Sequence, residues 1–194
     1  LAAGDLDLGA IAVHLTSDRH TDAAALRAAQ LAAVLDHARA VPRDAWIVAG
    51  DLNASEGEHA ALLAGAGAID VWEVAHPGDP GWTFDVAHNP LAKLMSISGR
   101  SARYDRILAI AGRSSVEPVA AQLFGRELRD NGLPPSDHYG LQADLAIRPA
   151  APLDVSRAPA SRRTALALVP PPDAWGPIQR VRCSRDRGFA RWPP

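Results

Sequence analysis

The stretch Trp46-Ile47-Val48-Ala49-Gly50-Asp51-Leu52-Asn53 decides how the chain is read. Its first four residues form an unbroken apolar run, as in a short buried strand, and Gly50 begins a tight turn. The run delivers a carboxylate and an amide, two residues apart, to a loop at a strand end. Layered folds carry their binding and catalytic groups on such loops. Asp51 and Asn53 could together orient a water and hold an oxyanion. Taken alone, they are also ordinary turn formers.

Working outward, residues 8–15 are mostly apolar and read as a neighbouring strand. Residues 22–40 read as a long helix. Leu31, Val34, Leu35 and Ala38 follow the 3-to-4 spacing of one buried face, Thr21 is placed to cap the start, and Pro42 ends it. Residues 56–64 suit a short helix. Residues 78–89 are rich in glycine, proline and aromatics and read as a surface loop. Strands are expected over 103–110, 116–123 and 139–147, with a loop over 131–137. Helices and strands alternate early and strands dominate later, which points to α/β or α+β layering. Residues 148–163 are rich in proline, alanine and arginine and read as a linker, after which 164–169 begins a new strand.

Two further motifs lie on this frame. In Arg103-Tyr104-Asp105-Arg106-Ile107, alternation sets Asp105 on the face opposite Tyr104 and Arg106. A carboxylate there needs a partner, either a structural salt bridge or a catalytic group. In Ser136-Asp137-His138, just before the last strand, the imidazole can donate to a phosphate oxygen once a carboxylate keeps it charged. Asp137 can ligate a hard cation.

Composition narrows the field. Of 194 residues, 47% are hydrophobic, enough for a packed core, and the net charge of −2 excludes a basic field over the whole surface. Any grip on phosphate is therefore local. Lys93 is the only lysine, so the cationic charge is nearly all arginine, which suits bidentate phosphate contacts. Cys183 is the only cysteine, which rules out an intrachain disulfide and fits an intracellular protein. No apolar run reaches the length of a membrane span.

The order GDLN, RYDRI, SDH resembles the endonuclease/exonuclease/phosphatase superfamily over residues 8–147. His14-Leu15-Thr16-Ser17, Asp70-Val71-Trp72-Glu73, Trp82-Thr83-Phe84-Asp85 with Asn89 following, and Pro135 to Leu141 are similar to stretches of its tyrosyl-DNA phosphodiesterase branch. The resemblance implies part of a DNase I-like four-layer α-β-β-α sandwich and phosphodiester hydrolysis at nucleic-acid 5′ ends, with Mg²⁺ or Mn²⁺ as cofactor. Asp51 would align or deprotonate the attacking water and Asn53 would hold a phosphate oxygen. His138 would stabilise the transition state, with Asp105 fixing its tautomer. Asp137 and Asp51 would serve the metal. His14 and Ser17 would support the phosphate pocket, and Trp82, Phe84 and Asn89 would meet the substrate. The remaining histidines, His20, His37, His59, His76 and His88, are expected to be solvated or structural, and Trp72 to be core.

Two departures bear on substrate preference. Phe84 stands where the branch has a channel-walling tryptophan, and Ser55 stands where it has a basic residue. The same fold could instead serve a lipid or inositol phosphate, or internal DNA, or persist as a non-catalytic nucleic-acid-binding scaffold. The superfamily completes its metal site with an asparagine and a glutamate from an earlier half, which nothing before Leu8 matches. Residues 1–149 are thus expected to be the later half of the domain, with 150–163 a linker, and the chain to bind Mg²⁺ poorly and to be nearly inactive. Residues 164–194 resemble the opening of a 2H phosphoesterase (2′,5′-RNA-ligase-like) domain, cut before its first histidine motif.

Overall fold

The structure, a computed structural model, describes residues 2–3, 5–149 and 179–183. Its elements in chain order are β1 (Ala2–Ala3), β2 (Leu6–His14), α1 (Ala23–Ala40), β3 (Ala45–Asp51), α2 (Glu56–Leu63), β4 (Ala68–Asp70), α3 (Val71–Ala75), α4 (Pro90–Met95), β5 (Asp105–Ala111), β6 (Ser114–Phe124), β7 (Gly140–Pro149) and β8 (Gln179–Cys183). One sheet has the order β1-β2-β3-β5-β4, and a second has the order β6-β7-β8. β2 and β3 run parallel, with α1 as their crossover, while β5 is antiparallel to both β3 and β4.

The two-residue period of the strands divides the core. Ile47, Ile107 and Ala109 join Val116, Leu141, Leu145 and Ile147, which places the second sheet against one face of the first. Their sequence neighbours Trp46, Val48, Leu108 and Ile110 pack with Leu31, Leu35 and Ala38 of α1 on the other face. The described residues therefore form a mixed α/β stack of helices, sheet and sheet. Burying a leucine such as Leu31 or Leu35 stabilises it by about 1.5–3 kcal/mol.

Several boundaries depart from the sequence reading. Thr21 does not cap α1. Asp22 takes the N-cap place with φ 59°, in the left-handed region, and no side chain closes the first turn. The helix ends at Ala40 as expected, with Val41 extended ahead of Pro42. Two short helices arise where none was expected, each from a cap. The Asp70 carboxylate accepts from the amides of Trp72 and Glu73 to open α3. Asn89 accepts from the amides of Leu91 and Ala92, with Pro90 in the first turn, to open α4. The strand expected from Arg103 begins at Asp105.

The linker over 150–163, the strand over 164–169 and the further domain over 164–194 lie outside the described residues, apart from β8. That segment hydrogen-bonds along β7 and extends the same sheet.

Candidate active site

Strand register brings three of the expected residues together. His14 is opposite Asp51 in the parallel pair β2–β3, and Asp51 is opposite Asp105 in the antiparallel pair β3–β5. Their side chains converge at one end of the sheet. His14 Nε2 lies 3.6 Å from Asp51 Oδ2. Gly50 allows the approach of β2 to β3: its φ is 144°, and a Cβ there would stand 1.9 Å from the Val13 carbonyl oxygen.

Beyond the strand end, the Asn53 backbone amide donates to Asp51 Oδ1 at 2.8 Å, and its side-chain amide donates to the Leu15 carbonyl at 2.9 Å. Asn53 holds φ 51°, a conformation asparagine tolerates better than most residues. The turn-forming and site-forming readings of this pair are thus both true, since the turn fixes the carboxylate.

His138 reaches the same point from the loop before β7. Its Nδ1 lies 2.6 Å from Asp105 Oδ2. An ionised carboxylate can only accept, so Nδ1 carries the proton and Nε2 faces the cleft. Burial opposes the charged imidazole, but the Asp105 hydrogen bond and the charges of Asp105, Asp51 and Asp137 outweigh it and hold the His138 pKa above its ordinary value. The Asp51 pKa is raised as well, first by burial and then by the charge of Asp105, against the Asn53 amide and the two histidines.

Of these groups, Asn53 and His138 border a cleft of about 340 Å³. Asn53, Asp137 and His138 form its polar side, Ser17 and Arg19 its rim, and Phe84, Met95, Ile97 and Tyr104 its apolar side. The Phe84 and His138 rings meet edge to face at 5.1 Å. Tyr104 lines the cleft although the sequence reading passed over it. Its alternation away from Asp105 suggested a separate face, but it precedes β5, where alternation no longer applies.

Three expected residues are placed differently. Trp82, 40% exposed, lines a separate cleft with Trp72, His76 and Arg126, not the one beside His138. Asn89 is 1% exposed, and both ends of its amide are engaged within the protein. It is behind the site and not in contact with the cleft. Asp137 lies outside the group of converging donors, its carboxylate accepting from the Ser136 hydroxyl at 3.3 Å. Ser55 has a role of its own: it caps α2 by accepting from the Glu58 amide.

The ligand atoms of Asp51, Asp105 and His138 all lie within 4.8 Å of one another. His138 Nδ1 and Asp105 are bonded to each other, so Asp51 is the group best placed to ligate a cation. Burial first, and then the charge of Asp105, disfavour its ionised form, and a bound cation would offset both. The set fits a hard divalent cation as part of a shell that needs about six oxygens. His59, Asp70 and Glu73 converge as tightly. There, however, Arg103 and Arg106 already occupy Asp70, at 2.8 and 2.7 Å, and Arg103 also holds Glu73. That cluster is a buried ion network, with His59 Nε2 2.9 Å from Asp70, as the structural reading of this histidine requires.

No family model matches the chain. Over 140 residues, 69% of its length, the chain is 34% identical to human tyrosyl-DNA phosphodiesterase 2, and it spans 37% of that relative. Among solved structures, it superposes on D. rerio TDP2 complexed with single-strand DNA product with a TM-score of 0.59 at 28% identity, covering 70% of this chain and 55% of that one. C. elegans TDP2 gives 0.58 at 26% identity, covering 72% and 42%. A beta toxin of Staphylococcus aureus shares the fold, with a TM-score of 0.54 at 22% identity, over 70% and 52%. The chain thus spans about a third to a half of the relatives it matches. It is homologous to tyrosyl-DNA phosphodiesterase 2 and carries the DNase I-like mixed α/β fold of that enzyme.

Proposed function

We propose that the chain forms part of a metal-dependent phosphodiesterase of the endonuclease/exonuclease/phosphatase superfamily that hydrolyses phosphodiesters at nucleic-acid 5′ ends, a 5′-tyrosyl adduct being the favoured substrate. The observation that carries this reading is the convergence of Asp51, Asp105 and His138 at one strand end, beside an amide and an aromatic wall.

In this reading Asp51 orients a water and takes its proton as the water oxygen bonds to phosphorus. The bond from phosphorus to the phenol oxygen breaks, and the phenolate departs. A tyrosine phenol has a pKa of about 10, so its departure needs little acid assistance. Asn53 holds one phosphoryl oxygen, and His138, kept protonated by Asp105, donates from Nε2 as charge builds on another. His14 and Ser17 border the phosphate, and Phe84 faces the terminal nucleotide. Asp51, with Asp137 nearby on the cleft, would hold a divalent cation such as Mg²⁺. Bound there, the cation polarises the phosphoryl group and offsets leaving-group charge.

The test uses the complete parent protein with Mg²⁺ and 5′-phosphotyrosyl oligonucleotides in DNA and RNA forms, beside Asp51→Asn. Release of 5′-phosphate ends that disappears in the variant supports the reading. Hydrolysis of a different phosphodiester, with none here, would discard the substrate while keeping the chemistry.

A further inference from the structure

The segment from Thr83 to Asn89 is bonded to both halves of the Asp105–His138 pair. The Thr83 hydroxyl accepts from the Asp105 amide at 3.1 Å, and its carbonyl accepts from the Tyr139 amide at 2.7 Å. Thr83 is fully buried. Six residues on, the Asn89 side chain donates to the carbonyls of Ser136 and Asp137 at 3.0 and 3.2 Å. Its oxygen simultaneously accepts from the amides of Leu91 and Ala92 at 2.9 and 3.2 Å. The residues carrying His138 into the site come from a loop, not from a strand ladder. Among the described residues, Asn89 is the side chain that grips the carbonyls immediately before His138.

We infer that Asn89 is a positioning residue: its carboxamide clamps the 136–138 loop so that the His138 ring meets Asp105. The inference rests on the proposed role of that pair but not on any particular substrate. A 2.6 Å contact between two side chains 33 residues apart survives only where both backbones are held. Asp105 is held by β5, and His138 is held by this clamp on one side and by the Tyr139–Thr83 backbone bond on the other. The cap and the clamp use opposite ends of one amide, so chemistry can separate them. Serine is an equally good N-cap but has no second donor to reach the loop. Asn89→Ser therefore keeps α4 started and releases 136–138. Asn89→Asp keeps the cap and turns the clamp into repulsion between a carboxylate and two carbonyls.

The experiment is NMR on the chain itself. In the wild type, the His138 Nδ1 proton bonded to Asp105 should give a resolved low-field resonance, and the Asn89 side-chain amide should exchange slowly with solvent. In Asn89→Ser the low-field resonance should broaden beyond detection and the Tyr139 amide should exchange at least about tenfold faster, while amides of β3 and β5 keep their protection. An unchanged resonance and unchanged Tyr139 exchange in Asn89→Ser would reduce Asn89 to a helix cap and overturn the inference. Should the variants not fold, the wild-type measurement decides: side-chain amide protons of Asn89 exchanging as fast as those of exposed Asn131 would show that no clamp exists. In the complete parent protein, Asn89→Ser should lower kcat about tenfold or more with KM little changed. If the tyrosyl substrate proves wrong, the NMR result still stands or falls by itself.

Discussion

The carboxylate of Asp105 and the imidazole of His138, 33 residues apart in the chain, meet at 2.6 Å in a bond that fixes which ring nitrogen is free. Asp105 draws the proton to Nδ1, leaving Nε2 toward the cleft. The same bond favours the charged ring. His138 should therefore titrate above the ordinary histidine value of about 6.5, and Asp105→Asn should bring it down. The sign for stability follows. A raised histidine pKa contributes stability in full below about pH 6.5, and that contribution fades as pH rises through the folded-state value. Ring-proton NMR titration of both proteins checks the shift. A His138 midpoint at or below the unfolded value in the wild type would refute it.

Asp51 presents the opposite balance. Burial and the charge of Asp105 disfavour its ionised form, so at neutral pH the folded state carries a carboxylate it holds poorly. A raised acid pKa means stability that is lost as pH rises through it. Asp51→Asn should consequently raise the thermal midpoint at pH 7 by about 2–5 °C while abolishing hydrolysis in the parent protein. A fall in the midpoint would show that Asp51 is held by more than its amide contact with Asn53.

The same carboxylate limits metal affinity. A hard cation asks for about six oxygens, and the described residues converge few on this point. Titration of the chain with Mg²⁺ by calorimetry should give a Kd of about 1 mM or weaker. A Kd in the micromolar range would mean that the site is far more complete than its side chains suggest.

What the sequence discloses here depends on how local the physics is. Asp51, Asn53 and His138 follow from strand-end turns, whose signals lie within a few residues. The α1 stripe of Leu31 and Leu35 follows from a period. The contributions of Thr83 and Asn89 were hidden because their partners are 22 and 47 residues away. Arg27 was hidden for the same reason. An arginine on a helix reads as exposed, yet here it is 2% exposed and forks onto Glu58, 31 residues on, at 2.7 Å through Nε and Nη2. The short helices α3 and α4 are too brief for periodicity to register. Their caps were readable all the same, most clearly in Asn89-Pro90, a capping residue followed by a proline in the first turn.

Asp70 anchors the interior behind the site. Burial would raise its pKa, but the His59 imidazole 2.9 Å away and the charges of Arg103 and Arg106 prevail, holding it well below the ordinary carboxylate range. A depressed acid pKa gives stability that is present above about pH 4 and lost as pH falls through the folded value. Asp70→Asn keeps an oxygen to cap α3 but removes the charge that pairs two buried guanidiniums, and should destabilise by about 3–5 kcal/mol at pH 7. Urea unfolding across pH 2–7 tests both parts: the deficit should shrink toward the acid end, where the wild type loses its own carboxylate.

Gly50 offers a backbone test of the strand-end geometry. A methyl group there meets the Val13 carbonyl at 1.9 Å, and the φ of 144° is itself unfavourable for any L side chain. Gly50→Ala must push β2 away from β3 next to the His14–Asp51 pair, and should destabilise by about 3 kcal/mol or more. A denaturation midpoint within error of the wild type would mean that the two strands do not approach so closely.

Tyr104 supplies the last test because it separates chemistry from folding. Its ring lies beside Phe84 and His138, at 5.8 and 6.1 Å, and its pKa is raised by burial and by the charges of Asp18 and Asp51. The hydroxyl therefore stays protonated at any working pH and is available to donate. Tyr104→Phe keeps the ring and its packing, so the thermal midpoint should move by less than about 2 °C. If the hydroxyl donates to a phosphoryl oxygen, the parent protein should lose about tenfold in kcat, the worth of one neutral hydrogen bond. Unchanged turnover would confine Tyr104 to the cleft wall. A large loss of stability instead would show that the hydroxyl serves the fold.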